Sequence, residues 1–435
     1  METKKSFFRI DHLTIKGVLI GFILLLLMIP VNFISSLVKE RQQRKEQVTQ
    51  EINNKWSNEQ IIQGPVWIIP YMETSPDKKT MLKKLAFLLP DSLKIDCSVN
   101  PAIRKRSIYE VVVYSTKSSI QTIFNKDNIL NLKIPSNNLL WDESFLCLGI
   151  SDYRGISDQP NCTWNDTSGL LTSGAMANDF VSNGLQYPVE TKNIRQINRF
   201  SLELSLKGSA NLSFVPVGKT TLVSMTSPWK SPSFNGAFLP AEPAKFSPDG
   251  FTAHWKILDL NRNFPQQYAD TKFETLQSAF GVSFLQGTDL YSKSDRSSKY
   301  AFLFIGLTFA MYFFVEILQR KLTHHFQYVM LGLALCLFYL LLLSISEYLG
   351  FDKAYLIAAI AVITMVVLYT NTVFKSFKTA GLFGLIMIAL YLFIYILIQL
   401  QDWALILGSI GLFFILAAVM YFSRQLDWNK DPTVE

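Results

Sequence analysis

The chain has 435 residues, of which 49% are hydrophobic and 17% are charged. Soluble domains average about 25% charged residues, so the deficit indicates long segments that do not contact water. The mean hydropathy of +0.21 agrees with this and excludes a wholly soluble enzyme and a disordered chain. The net charge of +7 is spread over the whole length, which is not the footprint of a nucleic-acid-binding protein, so no nucleic acid is expected as a partner.

Six apolar segments are each close to the ~20 residues that a helix needs to cross a bilayer. The first follows a short basic stretch that includes Lys16, as a secretory signal would. No small-residue cleavage site comes after it, so we predict an uncleaved anchor at 17–38. The other five predict a transmembrane bundle over 300–423. The six segments are 17–38, 300–319, 326–346, 354–374, 379–401 and 403–423.

Residues 39–299 have a different composition, rich in Gly, Pro, Ser and Asn, and predict a domain exposed to water. Val48, Ile52 and Trp56 recur every four residues and predict a helical stalk that ends at Gly64-Pro65. Short alternating segments follow, such as 200–206, and turn residues separate them. We therefore predict six transmembrane α-helices with a large inserted extracytoplasmic β domain, built as a sandwich of two largely antiparallel sheets.

The short loops between the predicted spans indicate the orientation. Alternate loops and the tail carry six basic residues, whereas the opposite loops carry only Lys353. Basic residues mark the cytoplasmic side, so we predict a cytoplasmic N-terminus at 1–16 and a cytoplasmic tail at 424–435. The β domain would then lie outside, which in a bacterium with two membranes is the periplasm. The six basic residues are Arg320, Lys321, Lys375, Lys378, Arg424 and Lys430.

The sequence shows no pattern typical of a catalytic or metal site. It has no Gly-x-Ser-x-Gly, His-Glu-x-x-His or Cys-x-x-Cys motif, so we predict no catalytic, cofactor-binding or metal-binding residues, no cofactor, and a protein that is not an enzyme. Three cysteines fall in the β domain, and buried free thiols are the favoured interpretation. A bridge between Cys147 and Cys162 stays open as the alternative.

Glu316 is the candidate functional residue of the predicted bundle, because a charge inside a membrane helix is costly. It lies near the end of its segment, four residues before Arg320, in the order that favours an ion pair on a helix. We favour an ion pair at the interface. The alternative is a role in a proton or ligand path.

Ordered fragments along the whole chain resemble the CreD family of bacterial inner-membrane proteins, also called the cell envelope integrity family. They include 64–71, 149–155 with the sequence GISDYRG, 228–240 and 331–347. The resemblance implies a large periplasmic domain and a role in envelope stress, but no reaction. The segment Trp229 to Phe234, with Ser233, is either a shared surface or a turn with buried aromatic residues, and the turn is favoured.

The function expected from these observations is that of an inner-membrane envelope-integrity protein. Its partners would be the lipid bilayer and an envelope component or protein that binds the β domain. The alternative is a membrane transporter or lipid-handling protein with a polar path near Glu316 in the C-terminal bundle.

Overall fold

A computed structural model describes residues 12–74, 80–174, 180, 184–284, 290–319, 321, 323–400 and 403–423. The chain divides into two compact units. One comprises Met1–Lys45 and Thr288–Glu435 and is helical in its described part. The other, Glu46–Gly287, holds the β-strands.

Five helices in the described part of the chain are long and apolar enough to cross a membrane: α1, α3, α4, α5 and α6. The sixth predicted span is also helical, as α7, but its described apolar stretch Ala404–Ala417 is shorter. The helices are α1 (His12–Trp56), α2 (Leu290–Lys299), α3 (Ala301–Leu318), α4 (His325–Leu349), α5 (Phe351–Phe374), α6 (Phe377–Gln399) and α7 (Ala404–Ser423).

Small residues let the helices of the first unit approach closely. Leu27 of α1 lies so near Gly332 of α4 that a Cβ on the glycine would be 2.0 Å from the leucine Cδ1. Gly411 of α7 likewise packs against Phe393 of α6, because a Cβ on this glycine would be 2.2 Å from the phenylalanine Cζ. Such contacts are how helices pack in lipid, where the hydrophobic effect between them is absent.

The β unit contains two sheets. In the first, the strand order is β13-β17-β11-β1-β5-β9-β8, and β2 pairs with β1 and β16. In the second, the order is β14-β15-β12-β3-β4-β10-β6-β7. The strands are β1 (Gln60–Thr74), β2 (Met81–Leu88), β3 (Ser92–Arg106), β4 (Tyr109–Asn125), β5 (Phe145–Ile150), β6 (Asn161–Trp164), β7 (Thr167–Leu170), β8 (Thr172–Ser173), β9 (Gly184–Pro188), β10 (Ile197–Ser209), β11 (Asn211–Val215), β12 (Thr220–Ser227), β13 (Ser233–Gly236), β14 (Lys245–Ser247), β15 (Gly250–Leu258), β16 (Gln267–Ala269) and β17 (Phe280–Ser283).

The two sheets share one hydrophobic core. Trp67 of β1 belongs to the first sheet, and its ring lies 5.2 Å from that of Trp164 of β6 and 6.1 Å from that of Phe124 of β4, both in the second. Alternate residues of β10 and β12 are buried, as expected for strands with one face on a core. The predicted β-rich domain is therefore confirmed.

One detail differs from the prediction. Helix α1 ends at Trp56, and Gly64-Pro65 lies inside strand β1, where the pairing with β5 shifts register between Gln63 and Val66. Proline lacks an N–H donor, so within a strand it is tolerated at such an irregularity. Two strand pairs are parallel, β1 with β11 and β12 with β3, and the other pairs in the described part are antiparallel, in agreement with the predicted largely antiparallel sheets.

Candidate functional site

A buried ion pair joins three helical segments of the first unit. Lys16 of α1 contacts the carboxylate of Glu316, near the end of α3, and their side chains are only 4% and 2% exposed. Lys16 Nζ also donates to the carbonyl oxygen of Thr323 at 2.7 Å. The hydroxyl of Tyr328, in the first turn of α4, donates to Glu316 Oε2 at 2.7 Å.

The carboxylate of Glu316 is fully hydrogen-bonded. Besides Lys16 and Tyr328, it accepts from the Thr323 backbone N–H at 2.7 Å and from the Thr323 hydroxyl at 2.9 Å. Removing two charges from water costs several kcal/mol each, roughly, unless geometry and extra hydrogen bonds compensate. Here four donors share two oxygens, so the cluster holds the start of α1 against α3 and α4.

The predicted partner of Glu316, Arg320, lies outside the described residues. The cation that the structure places on Glu316 is Lys16, which is distant in sequence and belongs to the basic stretch before the predicted anchor. Tyr328 and Thr323 were not predicted as part of this site either. Since Lys16 is buried in an ion pair, its charge says little about which side of the membrane the N-terminus occupies.

A second polar cluster lies where α2 packs against the bundle. Lys293 Nζ donates to Gln399 Oε1 at 2.7 Å and lies 3.8 Å from the carboxylate of Asp352. The Tyr395 hydroxyl donates to the same carboxylate at 3.1 Å. The sequence predicted no helix over Leu290–Lys299, because its residues are hydrophilic and follow no membrane-length apolar pattern.

The motif GISDYRG forms a joint inside the β unit. The Gln60 side chain is fully buried, and its Nε2 donates to Ser57 Oγ and to the backbone oxygens of Asp152 and Lys207, at 2.9 to 3.0 Å. Arg154 pairs with Asp152 at 2.7 Å and donates to the carbonyl oxygen of Asn54 in the last turn of α1. The motif therefore connects the end of α1 to β1 and β10.

Asp152 makes the stability of this joint depend on pH. Hydrogen bonds from Arg154 and from the Asn58 backbone lower the pKa of Asp152 to about 2. A folded-state pKa below the unfolded value of about 3.9 stabilises the fold above pH ~4, and this stability is lost as the pH falls toward 2. We expect Asp152→Asn to flatten that part of the stability curve, measured by unfolding of the full chain between pH 2 and 6. A slope equal to that of the wild type would contradict this.

The segment Trp229 to Phe234 lies at the edge of the first sheet. Phe234 is half-buried in β13 and packs edge-to-face on Phe251 and Trp255, at 5.7 and 5.8 Å. Trp229 is also half-buried, and its indole N–H donates to the carbonyl oxygen of Ser231 at 3.1 Å. Ser233 is exposed. The aromatic residues therefore contact the core, and the serine faces the solvent.

The cysteines of the β unit are buried free thiols. Cys147 lies in β5 of the first sheet and Cys162 in β6 of the second, and neither is bridged. Burial raises the pKa of Cys147 to about 12 and that of Cys162 to about 11, which disfavours the reactive thiolate. We expect identical mobility on reducing and non-reducing gels after thiols are trapped in denaturant. A faster non-reduced band would indicate a disulfide.

No group of three or more His, Cys, Asp or Glu side chains suited to a metal ion occurs in the part of the chain that the structure describes.

Comparison with known proteins shows the family of the chain. The sequence model of a protein family described as "Inner membrane protein CreD" matches residues 12–429. The chain belongs to the CreD family. It is similar to the inner membrane protein CreD of Escherichia coli (strain K12), with 33% identity over 414 residues, which cover 93% of this chain and 91% of the relative.

A solved structure was also matched, a putative protease from Parabacteroides distasonis ATCC 8503. The identity is 12%, the match covers 66% of this chain and 59% of that one, and the TM-score is 0.24. A score this low does not indicate a shared fold.

Membership of the CreD family, together with the apolar helices, makes the chain a multi-pass protein of the inner membrane, embedded in the lipid bilayer. The predicted family and fold class are confirmed.

Proposed function

We propose that this CreD-family protein preserves envelope integrity by presenting its β unit outside the inner membrane, where the unit binds an envelope component or a partner protein. The observation that carries the proposal is the two-sheet unit Glu46–Gly287, inserted into a chain whose other unit is helical and apolar. A unit of this size builds its own core and needs no membrane to fold, so its place in an inner-membrane protein favours a role in recognition.

The edge of the first sheet is the proposed contact. Strand β13 (Ser233–Gly236) ends the strand order, so one of its sides offers backbone N–H and C=O groups to a partner. Trp229 and Phe234 hold this edge on the core, and Ser233 lies on its exposed side. We place binding here because β13 is the last strand of its sheet and its aromatic residues anchor it to the core.

Photo-cross-linking in intact envelopes tests this proposal. A cross-linking residue at Ser233 of the full-length protein is expected to give one reproducible adduct. Ser98, an exposed serine on the central strand β3, is the matched control and is expected to give none. Adducts from neither position, or equal adducts from both, would count against the edge as the contact.

We propose further that the protein acts by binding and not by catalysis. The raised thiol pKa values of Cys147 and Cys162 and the lowered pKa of Asp152 support this, because they leave these groups unsuited to act as nucleophile or general acid near neutral pH. Variants with alanine in place of the exposed acidic residues of the β unit should still complement a strain that lacks the gene. Loss of complementation by one such variant would favour an enzyme.

We infer the orientation from the basic loop residues, with both termini in the cytoplasm and the β unit in the periplasm. Because all four native cysteines are buried, a cysteine introduced at exposed Ser98 reports accessibility cleanly. A membrane-impermeant maleimide applied to cells with a permeabilised outer membrane should label Ser98→Cys. Labelling only after the inner membrane is broken would reverse the orientation.

The buried pair of Lys16 and Glu316 favours one alternative, a transporter or lipid-handling protein with a polar path in the bundle. Glu316→Gln keeps the shape of the side chain and removes its charge. If the Glu316→Gln variant complements the deletion strain as well as the wild type does, the transporter hypothesis is excluded. Lost complementation at normal protein levels would support that hypothesis.

A further inference from the structure

Helix α2 is hydrophilic, yet one of its faces is buried in the helical unit. Lys293, Ser294, Ser297 and Ser298 are all buried, although a helix of ten residues is too short to span a bilayer. Burial of an ammonium and several hydroxyls in a membrane protein is costly, and polar groups placed there are functional candidates by default.

The contacts of α2 indicate its depth relative to the bilayer. The hydroxyl of Ser298 lies 3.1 Å from that of Ser35, three residues before the end of the predicted anchor. The other contacts of α2 lie at helix ends, with Glu347 in the last turn of α4, Asp352 in the first turn of α5 and Gln399 at the end of α6. Helix ends lie at the interface, where the phosphates of phospholipids also lie.

Lys293 and Ser297 present unused hydrogen-bond donors on one face of α2, since residues four apart are neighbours on a helix. The ammonium has three N–H donors, and the described residues provide it with one hydrogen bond, to Gln399 Oε1. The Ser297 hydroxyl is fully buried and has no hydrogen-bond partner among the described residues. A group with several acceptor oxygens, such as phosphate, satisfies the remaining N–H donors of Lys293, whose side chain is 9% exposed.

Asp352 adds a negative charge beside these donors. Its carboxylate is 61% exposed and lies 3.8 Å from Lys293 Nζ. Oδ1 accepts from Tyr395 and Gln399, and no described residue donates to Oδ2. A purely anionic ligand would be repelled by this carboxylate, and a metal cation would be repelled by Lys293. A ligand with a phosphate and an ammonium matches both charges.

We propose that this cluster binds a phospholipid headgroup that carries a phosphate and a primary ammonium. The phosphate contacts Lys293, and the ammonium donates to Asp352. Phe302 and Tyr348 are exposed apolar side chains at the ends of α3 and α4 nearest to α2, in a position to contact the acyl chains. The site belongs to the helical unit and is independent of partner binding by the β unit.

Thermal unfolding of the purified full-length protein in detergent tests the site. Phosphatidylethanolamine is expected to raise the melting temperature by roughly 5 °C at saturation. Phosphatidylcholine, whose quaternary ammonium has no N–H, and phosphatidylglycerol, which has no ammonium, should each raise it by less than half as much. Lys293→Gln should abolish the rise. Lys299→Gln, on the same helix but with an exposed side chain paired to Asp295, should retain it.

Asp352→Asn keeps the test decisive if Lys293→Gln does not fold, because Asp352 is exposed and its loss should leave the bundle intact. This variant is expected to bind phosphatidylethanolamine and phosphatidylglycerol equally. The proposal is overturned if the wild type is stabilised equally by these two lipids, or if Lys293→Gln is still stabilised by phosphatidylethanolamine. If inorganic phosphate alone gives the full rise in melting temperature, the site binds free phosphate, and the proposal of a lipid ligand is overturned.

Discussion

Lys16→Ala is expected to lower the free energy of unfolding of the helical unit by about 3–5 kcal/mol, the typical cost of removing one partner of a buried ion pair. The loss is large because Glu316 keeps its burial after the ammonium is removed. Thr323 also loses the donor on its carbonyl oxygen. Thermal unfolding of the full-length protein in detergent measures the change.

The control for this variant is Lys39→Ala, which removes an exposed lysine from the same helix. A surface lysine contributes little, so a change within about 0.5 kcal/mol is expected. The double variant Lys16→Met with Glu316→Leu removes both charges, but it also removes the acceptor of the Thr323 N–H and of the Tyr328 hydroxyl, so it should recover only part of the loss. If Lys16→Ala behaves like Lys39→Ala, the pair does not hold α1 to the bundle.

The ion pair also shows why the site could be predicted only in part. Glu316 was recognisable because a carboxylate interrupts a long apolar segment. Its sequence neighbour Arg320 was the natural partner to predict, since interactions four residues apart on a helix are visible in the sequence. Lys16 is 300 residues away, and only the packing of α1 against α3 and α4 brings it to Glu316.

The fold, like the site, could be predicted from the sequence only in part. Apolar length alone predicted the membrane helices, and alternation predicted strands such as β10. Strand β3 shows the same alternation, with Leu93, Ile95, Cys97 and Val99 buried and polar residues between them, but the sequence prediction did not include it. Helix α2 was beyond prediction, because its polar face is buried by tertiary contacts and not by composition.

The end of the stalk helix was misplaced for a physical reason. Gly64-Pro65 is a strong helix-ending signal, but α1 already ends at Trp56, where Arg154 reaches the carbonyl oxygen of Asn54. A side chain 100 residues away thus caps the helix. The Gly-Pro pair serves the following strand instead, at its register shift.

Gly155→Ala is expected to lower the stability of the β unit by about 3 kcal/mol. A Cβ at this position would lie 2.3 Å from Gln60 Nε2, 2.3 Å from the Lys207 carbonyl oxygen and 2.9 Å from Ser57 Oγ. The backbone oxygen cannot rotate away, so the insertion forces the strands apart or breaks the hydrogen bonds of the buried Gln60 amide. Overpacking and lost buried hydrogen bonds each cost roughly 1–3 kcal/mol.

Unfolding of the full-length variant gives the size of this loss, and hydrogen–deuterium exchange locates it. Exchange should accelerate in β1 and β10, which the Gln60 side chain joins, because it donates from β1 to the Lys207 carbonyl oxygen of β10. Gly381→Ala is the matched control, since a Cβ there meets nothing within 4 Å and alanine favours a helix. Equal stability of Gly155→Ala and Gly381→Ala would show that the joint tolerates a side chain, and the GISDYRG motif would then need another explanation than close packing.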